Sequence, residues 1–312
     1  MTDAARERKV VARHRIEYGA LRGALGAFSL LGWKRASTLG GKLATLGYRP
    51  FNVRRGVVQR QIAAAFPGLP ESEVERIARA AYDSLGRTSV EAALLPTLQP
   101  GGVLDLFDEP EGWRAVEEAK ALGKGIILVA GHLGNWELTG AYIAARGIPL
   151  EAIARRQENP LFDAFVTRAR ERLGMHIVTD AEAVRRTPRA LKEGHAVGFL
   201  IDQGVLGLAS THVPFFGRPA KTPRGPAVFA LRLGAPVVFV TALRQPDGRY
   251  KPMFERVETP VTGDRETDVD AIVANYTSVL ERWVRRAPEQ YFWHHRRWKW
   301  QPADTPLELR EP

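Results

Sequence analysis

The stretch Ile126-Ile-Leu-Val-Ala-Gly-His-Leu-Gly-Asn-Trp-Glu137 runs from five apolar residues through a glycine into a histidine, and a glutamate follows five positions later. A short, fully apolar run of this kind is typical of a buried strand. Gly134 allows the chain to turn, so that a helix can begin at Asn135 or Trp136. The stretch therefore predicts a strand, a turn and a helix, with His132 at the carboxyl end of the strand.

From about residue 110 onward, short apolar runs alternate with amphipathic stretches of helical length. The apolar runs cover residues 126–130, 150–154, 176–179, 196–201 and 236–242, and the amphipathic stretches include residues 160–173 and 181–193. Such alternation is typical of β-α units around a largely parallel sheet. The predicted fold class is α/β, with a largely parallel central sheet flanked by helices.

The amino-terminal part of the chain has a different, helical pattern. Leu69-Pro-Glu-Ser-Glu-Val-Glu75 opens a helix that continues to about Ala93, and Ser72, three residues before Glu75, predicts a capping box. We expect residues 1–100 to form a helical, membrane-associating region and residues 101–312 to form the α/β domain, the two making one continuous unit.

Residues 23–33 are the most membrane-like segment, an apolar stretch of eleven residues with arginines before it and Lys34 and Arg35 after it. A membrane-spanning helix needs about 20 apolar residues, so this stretch is too short to span. It predicts a helix on the membrane surface, with its cations over anionic headgroups. The alternative is a helix that packs on the main domain.

Composition narrows the classes of partner and of chemistry. The 312 residues are 45% hydrophobic, which is enough for a sizeable core, and the formal net charge of +10 favours anionic partners: an acidic carrier protein, a phosphorylated substrate, anionic membrane or nucleic acid. The chain has no cysteine, which excludes disulfides, thiolate nucleophiles and Cys-ligated metal sites.

The spacing of His132 and Glu137 restricts how they can meet. Five positions on one helix would set them about 140° apart, so they meet only if His132 precedes the helix and Glu137 lies in its first turn. In that arrangement His132 is a general base and Glu137 is the carboxylate that orients it. No serine, cysteine or lysine nearby resembles a nucleophile, which favours direct transfer to a substrate hydroxyl. The alternative is a hydrogen-bonded turn histidine beside an ordinary first-turn charge.

Two further polar residues follow predicted strands, where ligands of open α/β sheets gather. Arg155 follows the second strand and could bind an acceptor phosphate or stabilise an oxyanion. Its alternative is a surface salt bridge. Asp202 ends another strand and could position a ligand or hold Arg155 by a charge-assisted bond; its alternative is a helix or turn cap.

Two basic and aromatic segments lie in the carboxyl half. In the segment 215–224, Thr222-Pro223 predicts a helix start that could receive a phosphate among Arg218, Lys221 and Arg224, although a structural loop is nearly as good an interpretation. The segment 293–300 interleaves basic and aromatic residues as nucleic-acid patches do, yet no nucleic-acid module surrounds it. No third ligand accompanies its two histidines at a sensible spacing, so we expect no metal.

Several of these segments together carry a resemblance. His132-Leu-Gly-Asn-Trp-Glu137, Arg155-Arg-Gln-Glu-Asn-Pro160, Ile201-Asp-Gln203 with Val213-Pro-Phe-Phe-Gly217 and Ala220-Lys-Thr222, and Ala287-Pro-Glu-Gln-Tyr-Phe-Trp-His-His-Arg-Arg-Trp-Lys299 resemble the lipid A biosynthesis acyltransferases. This family of late lauroyl- and myristoyl-transferases is distantly similar to glycerol-3-phosphate acyltransferases. The resemblance runs in order from about residue 20 to residue 300. The chain departs from the family pattern at Gln61, where an asparagine is expected, and its amino-terminal apolar helix is less pronounced.

The resemblance implies an α/β acyltransferase fold, of the glycerol-3-phosphate acyltransferase type, at the cytoplasmic face of the inner membrane, peripheral or singly anchored. It implies transfer of a fatty acyl group from acyl carrier protein or coenzyme A to a hydroxyl of an anionic glycolipid, a lipid A precursor, without a resident cofactor and without nucleic acid. Related enzymes acylate phosphatidylinositol mannosides, which is the alternative acceptor. A non-catalytic basic protein that binds membrane or nucleic acid is the alternative of a different class, and it requires neither His132 nor Glu137.

Overall fold

The structure is a computed structural model that describes residues 10–204 and 207–312. The α-helices of this part of the chain are α1 (Ala12–Leu30), α2 (Trp33–Tyr48), α3 (Arg55–Ala65), α4 (Glu71–Leu94), α5 (Arg114–Ala121), α6 (Trp136–Ala145), α7 (Pro160–Arg172), α8 (Asp180–Lys192), α9 (Gly225–Leu233) and α10 (Arg265–Arg286). The strands are β1 (Ile126–Ala130), β2 (Leu150–Ala154), β3 (Met175–Thr179), β4 (Ala196–Leu200), β5 (Ser210–Phe215), β6 (Arg218–Pro223), β7 (Val237–Arg244) and β8 (Tyr250–Val257).

Six strands form one sheet in the order β3-β2-β4-β1-β7-β8. All neighbours are parallel except β7 and β8, which are antiparallel at one edge. The α/β prediction with a largely parallel sheet is therefore confirmed. The five strands that pair in parallel begin and end within two residues of their predicted bounds. Strand β8 was not predicted.

Side chains of the central strand alternate between two apolar cores, one on each face of the sheet. Ile127 and Val129 pack with residues of α3, α4, α9 and α10, and Ile126 and Leu128 pack with residues of α5, α6 and α7. Successive side chains of a strand point to opposite faces, so a strand buried on both faces must be apolar throughout. This requirement explains the uninterrupted apolar run that opens the central motif.

Helices α1 to α4 precede the sheet. Helix α4 begins at Glu71, with Pro70 before it, and the predicted Ser72 capping box is wrong, because Ser72 already lies inside the first turn and no side chain caps this end. The segment 23–33 is divided between α1 and α2 by Gly32, whose φ of 72° interrupts the helix. None of the described helices is both long and apolar enough to cross a bilayer. Membrane association of this region stays a prediction.

Strands β5 and β6 form a separate antiparallel hairpin, in which Phe215 pairs with Arg218. The turn between them uses positive φ angles at Phe216 and Gly217, as tight hairpin turns require. Thr222 and Pro223 therefore end a strand, and the prediction that they start a helix is wrong. Helix α9 begins two residues later, at Gly225.

Candidate active site

The register of the two central strands places the site. Ala130 at the end of β1 pairs with Leu200 at the end of β4, so His132 and Asp202 each lie two residues beyond a matched pair. Parallel strands end at the same edge of the sheet, which brings the two side chains together. The imidazole and the carboxylate thus meet at the middle of the sheet, at its carboxyl edge.

Asp202 holds His132 at two points. Its Oδ1 lies 2.7 Å from Nδ1 of the imidazole, and its Oδ2 accepts the backbone N–H of His132 at 2.9 Å. A carboxylate on Nδ1 fixes the neutral ring in the tautomer that leaves Nε2 as the acceptor. The orienting carboxylate of His132 is therefore Asp202. These contacts correct two predictions. Glu137 is not the carboxylate that orients His132, and Asp202 holds His132 and not Arg155.

The surroundings of Asp202 favour its charged form. Burial opposes ionisation, but the charge of His132 and the hydrogen bonds from its ring and its backbone outweigh burial and lower the pKa of Asp202 to about 2. The buried Arg297 guanidinium contributes in the same direction. Burial raises the pKa of the neighbouring Tyr291 well above its ordinary value, and the negative charge of Asp202 raises it further. Asp202 is thus an anion beside a neutral phenol at physiological pH.

Aromatic rings flank the imidazole. Trp136, the first residue of α6, meets it edge-on with ring centroids 4.7 Å apart, and Phe292 lies at 5.9 Å. The backbone of Phe292 also donates to the carbonyl of His132 at 3.0 Å. The His132 side chain is 15% exposed. The ring is therefore held on several sides and still reachable by a substrate.

In the part of the chain that the structure describes, Gln203 is the other side chain in hydrogen-bonding range of the ring. Its amide nitrogen lies 3.3 Å from Nε2 and 3.4 Å from Nδ1. With Asp202 on Nδ1, the amide can donate to Nε2, the atom that would receive a substrate proton. The sequence showed Gln203 only as part of a motif. Its position directly after Asp202 was the available signal for a role.

Glu137 is paired with an arginine of α7. Both of its carboxylate oxygens accept from Arg170, at 2.5 Å from Nη2 and 2.8 Å from Nε, and both side chains are largely buried. Burial alone would lower the pKa of Arg170, but the hydrogen bonds and charge of Glu137 raise it. The pair joins the first turn of α6 to the last turn of α7. No motif of the sequence indicated Arg170.

Asn135, between His132 and Glu137, anchors the turn to a buried polar network. Its Oδ1 accepts from the backbone of Leu138 at 3.0 Å and caps α6, and its Nδ2 donates to Glu91 at 2.7 Å. Glu91, fully buried on α4, also accepts from Arg244 and from the hydroxyls of Tyr250 and Ser37. The turn of residues 131–135, which carries His132, is thereby tied to α2, α4, β7 and β8.

Gly134 allows the turn to pass close to β7. Its φ is 65°, and a side chain there would collide with the carbonyl of Ala242. This close approach lets the backbone of Asn135 donate to that same carbonyl at 3.1 Å, while Gly134 donates to Gln290 at 3.0 Å. A glycine is therefore required at this position.

The predicted anion-binding residues do not converge on one point. Arg155 is exposed on the loop after β2, and its side chain makes no hydrogen bond or ion pair within residues 10–204 and 207–312. Lys221 packs against Gly204, two residues after Asp202, and so borders the site. Arg224 pairs instead with Glu266 and Asp270 of α10. Arg218 donates to the backbone carbonyl of Arg310.

The carboxyl-terminal basic and aromatic segment is mainly interior. Trp293, Trp298 and Arg297 are buried, and Arg297 donates to the Lys221 carbonyl and the Thr222 hydroxyl at 2.7 and 2.6 Å. The side chain of Gln61 bonds the carbonyls of Trp293 and His295 and the backbone N–H of Arg297. This gives a structural reason for the amide at position 61: it ties α3 to the segment that flanks His132.

His294 is a buried histidine in this segment. Neither ring nitrogen has a hydrogen-bond partner among the described residues, and the ring packs against Tyr82 and Phe292. Burial, with the charge of Arg54, lowers its pKa to about 4. Within the part of the chain that the structure describes, no three acidic or histidine side chains are grouped as metal ligands.

Comparison with known proteins gives a consistent result. A sequence model of bacterial lipid A biosynthesis acyltransferases matches residues 8–300. The lipid A biosynthesis palmitoleoyltransferase of Escherichia coli K12 is 30% identical over 257 residues, 82% of each chain, and the lipid A biosynthesis lauroyltransferase of the same organism is 28% identical over 269 residues, 86% of this chain and 86% of that protein.

A relative whose name gives a different acceptor also matches. The phosphatidylinositol mannoside acyltransferase of Mycolicibacterium smegmatis is 27% identical over 241 residues, 74% of this chain and 78% of that protein. Because the family match extends over residues 8–300 and the palmitoleoyltransferase, at 30% identity, matches over 82% of each chain, the protein is an acyltransferase and belongs to the bacterial lipid A biosynthesis acyltransferase family.

Proposed function

We propose that this protein transfers a fatty acyl chain from a thioester, carried by acyl carrier protein or coenzyme A, to a hydroxyl of a lipid A precursor. The observation that carries the proposal is the contact between His132 and Asp202, which leaves Nε2 as a proton acceptor at a partly open position on the sheet edge. The names of the Escherichia coli relatives, both lipid A biosynthesis acyltransferases, support lipid A as the acceptor class.

In the proposed reaction, His132 Nε2 takes the proton of the acceptor hydroxyl as its oxygen attacks the thioester carbonyl. The new bond joins that oxygen to the carbonyl carbon, and the bond that breaks is the one between carbon and sulfur. The thiolate leaves with the proton that His132 accepted, so the enzyme returns to its starting state. Asp202 stabilises the imidazolium between these two proton transfers.

The transfer is proposed to be direct. Among the described residues, the side chains that reach the imidazole by hydrogen bonding are Asp202 and Gln203, and neither is a nucleophile that a histidine activates. An acyl-enzyme intermediate would need a hydroxyl or amine at that place. The proposed chemistry requires no resident metal or cofactor.

Arg155 and Lys221 are proposed to receive the negative charge of the acceptor or of the carrier. Arg155 is exposed at the same sheet edge as His132, and Lys221 borders the loop after Asp202. Arg218 is the first residue of β6, and Arg224 follows its last residue and is paired with acidic side chains of α10. We propose a supporting electrostatic role for these two, not a direct contact with the reacting groups.

We also propose that Glu137 contributes to catalysis by fixing the start of α6, through its ion pair with Arg170. We propose that the enzyme works at the cytoplasmic face of the inner membrane, where a lipid acceptor would be held. The alternative acceptor is a phosphatidylinositol mannoside, which the Mycolicibacterium relative's name supports.

The test is an acyl-transfer assay with the purified full chain. Acyl carrier protein and coenzyme A thioesters are offered as donors, with an underacylated lipid A precursor or a phosphatidylinositol mannoside as acceptors, and the products are identified by mass spectrometry. We expect one added acyl chain on the lipid A precursor, lost in His132→Ala. Transfer only to the mannoside would select the alternative acceptor. Sequence-selective DNA binding without any transfer or thioester hydrolysis would overturn the enzyme proposal.

A further inference from the structure

The proposed acyl transfer requires a hydrogen-bond donor besides the two groups that handle the proton. As a hydroxyl attacks a thioester carbonyl, the carbonyl oxygen gains negative charge, and enzymes stabilise this oxyanion with fixed N–H or O–H donors. His132 and Asp202 provide a base and its counter-charge, and their hydrogen bond engages Nδ1 of the ring. Since Nε2 receives the acceptor proton, a third group must meet the oxyanion.

The basic side chains near the site do not provide this donor. Neither Arg155 nor Lys221 makes a side-chain hydrogen bond to His132 in the described part of the chain. Arg224 is engaged by acidic side chains of α10. Among the described side chains, the donor within hydrogen-bonding range of the imidazole is the amide of Gln203.

The amide nitrogen of Gln203 lies over one face of the imidazole. It is 3.3 Å from Nε2 and 3.4 Å from Nδ1 of His132. In the ring plane, an atom at nearly equal distances from both nitrogens would overlap the ring carbons, so the amide nitrogen lies out of that plane and approaches Nε2 obliquely. The lone pair of Nε2 points outward in the ring plane. That direction is left open for the acceptor hydroxyl.

The backbone on both sides of Gln203 is held by buried contacts. Asp202, which precedes it, is 2% exposed and is bonded to the imidazole. Gly204, which follows it, packs so closely on β6 that a side chain there would lie 3.0 Å from the carbonyl oxygen of Lys221. The buried Arg297 donates to that same carbonyl at 2.7 Å. A donor held in this way needs little reorganisation when charge develops, as an effective oxyanion donor requires.

Aromatic rings restrict water around this amide. Trp136 and Phe292 flank the imidazole with ring centroids 4.7 and 5.9 Å away, and the His132 side chain is 15% exposed. A hydrogen bond to a charged oxygen becomes stronger where water is excluded. Within the described residues, the side-chain nitrogen of Gln203 has the imidazole as its hydrogen-bond partner. An amide has two N–H groups, so the second is available to a substrate oxygen.

We propose that Gln203 is a catalytic residue that donates to the oxyanion of the acyl-transfer reaction. The inference rests on the proposed function, in which a hydroxyl attacks a thioester directly. As the oxygen–carbon bond forms, the π electron pair of the carbonyl moves to its oxygen, and the acceptor proton moves to Nε2 of His132. Gln203 donates to that oxygen at about 3 Å. When the electron pair returns, the carbon–sulfur bond breaks and the thiolate takes the proton from Nε2.

The first experiment compares Gln203→Ala and Gln203→Glu with the wild type in the full chain. Glutamate has nearly the shape of glutamine, but its carboxylate cannot donate and it repels an oxyanion. We expect each substitution to lower the turnover number by roughly 10²- to 10³-fold and to change the Michaelis constants by less than about threefold. Gln99→Ala, at an exposed glutamine, is the matched control and should behave like the wild type. A turnover number of Gln203→Ala within about threefold of the wild type would overturn the proposal.

A dithioester donor, in which sulfur replaces the carbonyl oxygen, distinguishes an oxyanion donor from a residue that only shapes the site. Sulfur is a weak hydrogen-bond acceptor, so the wild type should transfer faster from the thioester than from the dithioester. Gln203→Ala should reduce this preference at least about tenfold, because only the thioester reaction loses its hydrogen bond. A residue that only shapes the site would slow both donors equally. An unchanged preference in both Gln203 variants would overturn the proposal even if their turnover is low.

Hydrolysis of the thioester without an acceptor separates this inference from the proposed function. Water replaces the hydroxyl, and the same oxyanion forms. If the wild type acylates no lipid A precursor, the proposed function fails, whereas slower thioester hydrolysis by Gln203→Ala, with an unchanged unfolding midpoint in denaturant, still supports the oxyanion role. Normal transfer and normal hydrolysis by Gln203→Ala would refute the role of Gln203 and leave the proposed function standing.

Discussion

Asp202 Oδ1 lies 2.7 Å from His132 Nδ1, although the two residues are 70 positions apart in the chain. The same carboxylate also accepts the backbone N–H of His132. The side chain and the main chain of the histidine are thus held by one group at the ends of neighbouring strands. Asp202 therefore controls both the tautomer and the position of the ring.

Asp202→Asn should lower the turnover number by roughly 10²- to 10⁴-fold, because the amide no longer stabilises the imidazolium and can select the wrong tautomer. The Michaelis constants should change much less. Steady-state kinetics with the thioester donor measure both. The matched control is Asp304→Asn, an exposed carboxylate near the carboxyl terminus. A turnover number within threefold of the wild type would exclude this role for Asp202.

The ion pair of Glu137 and Arg170 predicts that the two residues act as a unit. Glu137→Gln leaves a buried guanidinium without its anion and should reduce the free energy of unfolding by about 3 kcal/mol. Glu137→Gln and Arg170→Gln should each reduce the turnover number, and by similar factors. The double variant should be more stable than Glu137→Gln alone. Chemical denaturation and kinetics on all three variants give the comparison. Normal turnover in Arg170→Gln with slow turnover in Glu137→Gln would show instead that Glu137 acts on its own.

Asn135→Ala should impair catalysis as well as stability. The substitution removes the cap of α6 and a hydrogen bond to buried Glu91, which should cost about 1 to 3 kcal/mol of unfolding free energy. Because Asn135 anchors the turn that carries His132, the turnover number should fall too. Asp264→Ala removes a comparable cap from α10, where Asp264 accepts from Thr267. If both variants lose stability and neither loses turnover, the network has no role in positioning.

His294 predicts a specific dependence of stability on pH. Its pKa falls from an ordinary 6.5 to about 4 in the folded protein, so between these values the unfolded chain binds a proton that the folded protein does not. Stability should therefore fall as the pH decreases from 6.5 to 4, by about 3 kcal/mol. His294→Phe should lack this loss, while His212→Phe, on an exposed position of β5, should retain it. Denaturant unfolding at several pH values measures the difference, and parallel curves for wild type and His294→Phe would contradict it.

Substitutions of Arg155, Lys221 and Arg224 should have different effects on the Michaelis constants, depending on where each residue lies. Arg155→Gln and Lys221→Gln should each raise the Michaelis constant for the anionic acceptor or donor by about tenfold, from loss of a charge-assisted contact. Arg155→Gln should also lower the turnover number if it touches the reacting groups. Arg224→Gln, whose cation is already paired with Glu266, should leave the Michaelis constants near wild type. Equal effects of all three would indicate a general electrostatic attraction without a defined site.

The parallel strands were predictable because burial on both faces leaves an apolar run with clear limits. Strand β8 (Tyr250–Val257) was not, since the charged residues Lys251, Glu255 and Arg256 interrupt its apolar run. Thr222-Pro223 had the composition of a helix start, yet tertiary pairing with β5 made it a strand.

The site was predictable in its histidine but not in its pairings. His132 followed from its place after a strand. The local spacing pointed to Glu137 as its partner, whereas the partner is Asp202, because adjacency in the sheet depends on strand order and the order β4-β1 brings together segments 70 residues apart. The sequence contains both residues without the topology that joins them. The pairings of Arg170, Glu91 and Arg244 could not be predicted for the same reason, because their partners are distant in the chain.

The contact of residues 290–292 with residues 132–134 has a consequence for the time at which the enzyme becomes active. A nascent chain emerges amino terminus first, and the catalytic turn is exposed long before the segment that donates to the His132 carbonyl and accepts from Gly134 has been synthesised. The side chain of Gln61 likewise cannot form its hydrogen bonds until Trp293 and His295, whose carbonyls accept them, have been synthesised. We expect a chain still attached to the ribosome, or one cut before residue 290, to possess His132 and Asp202 and yet perform no transfer.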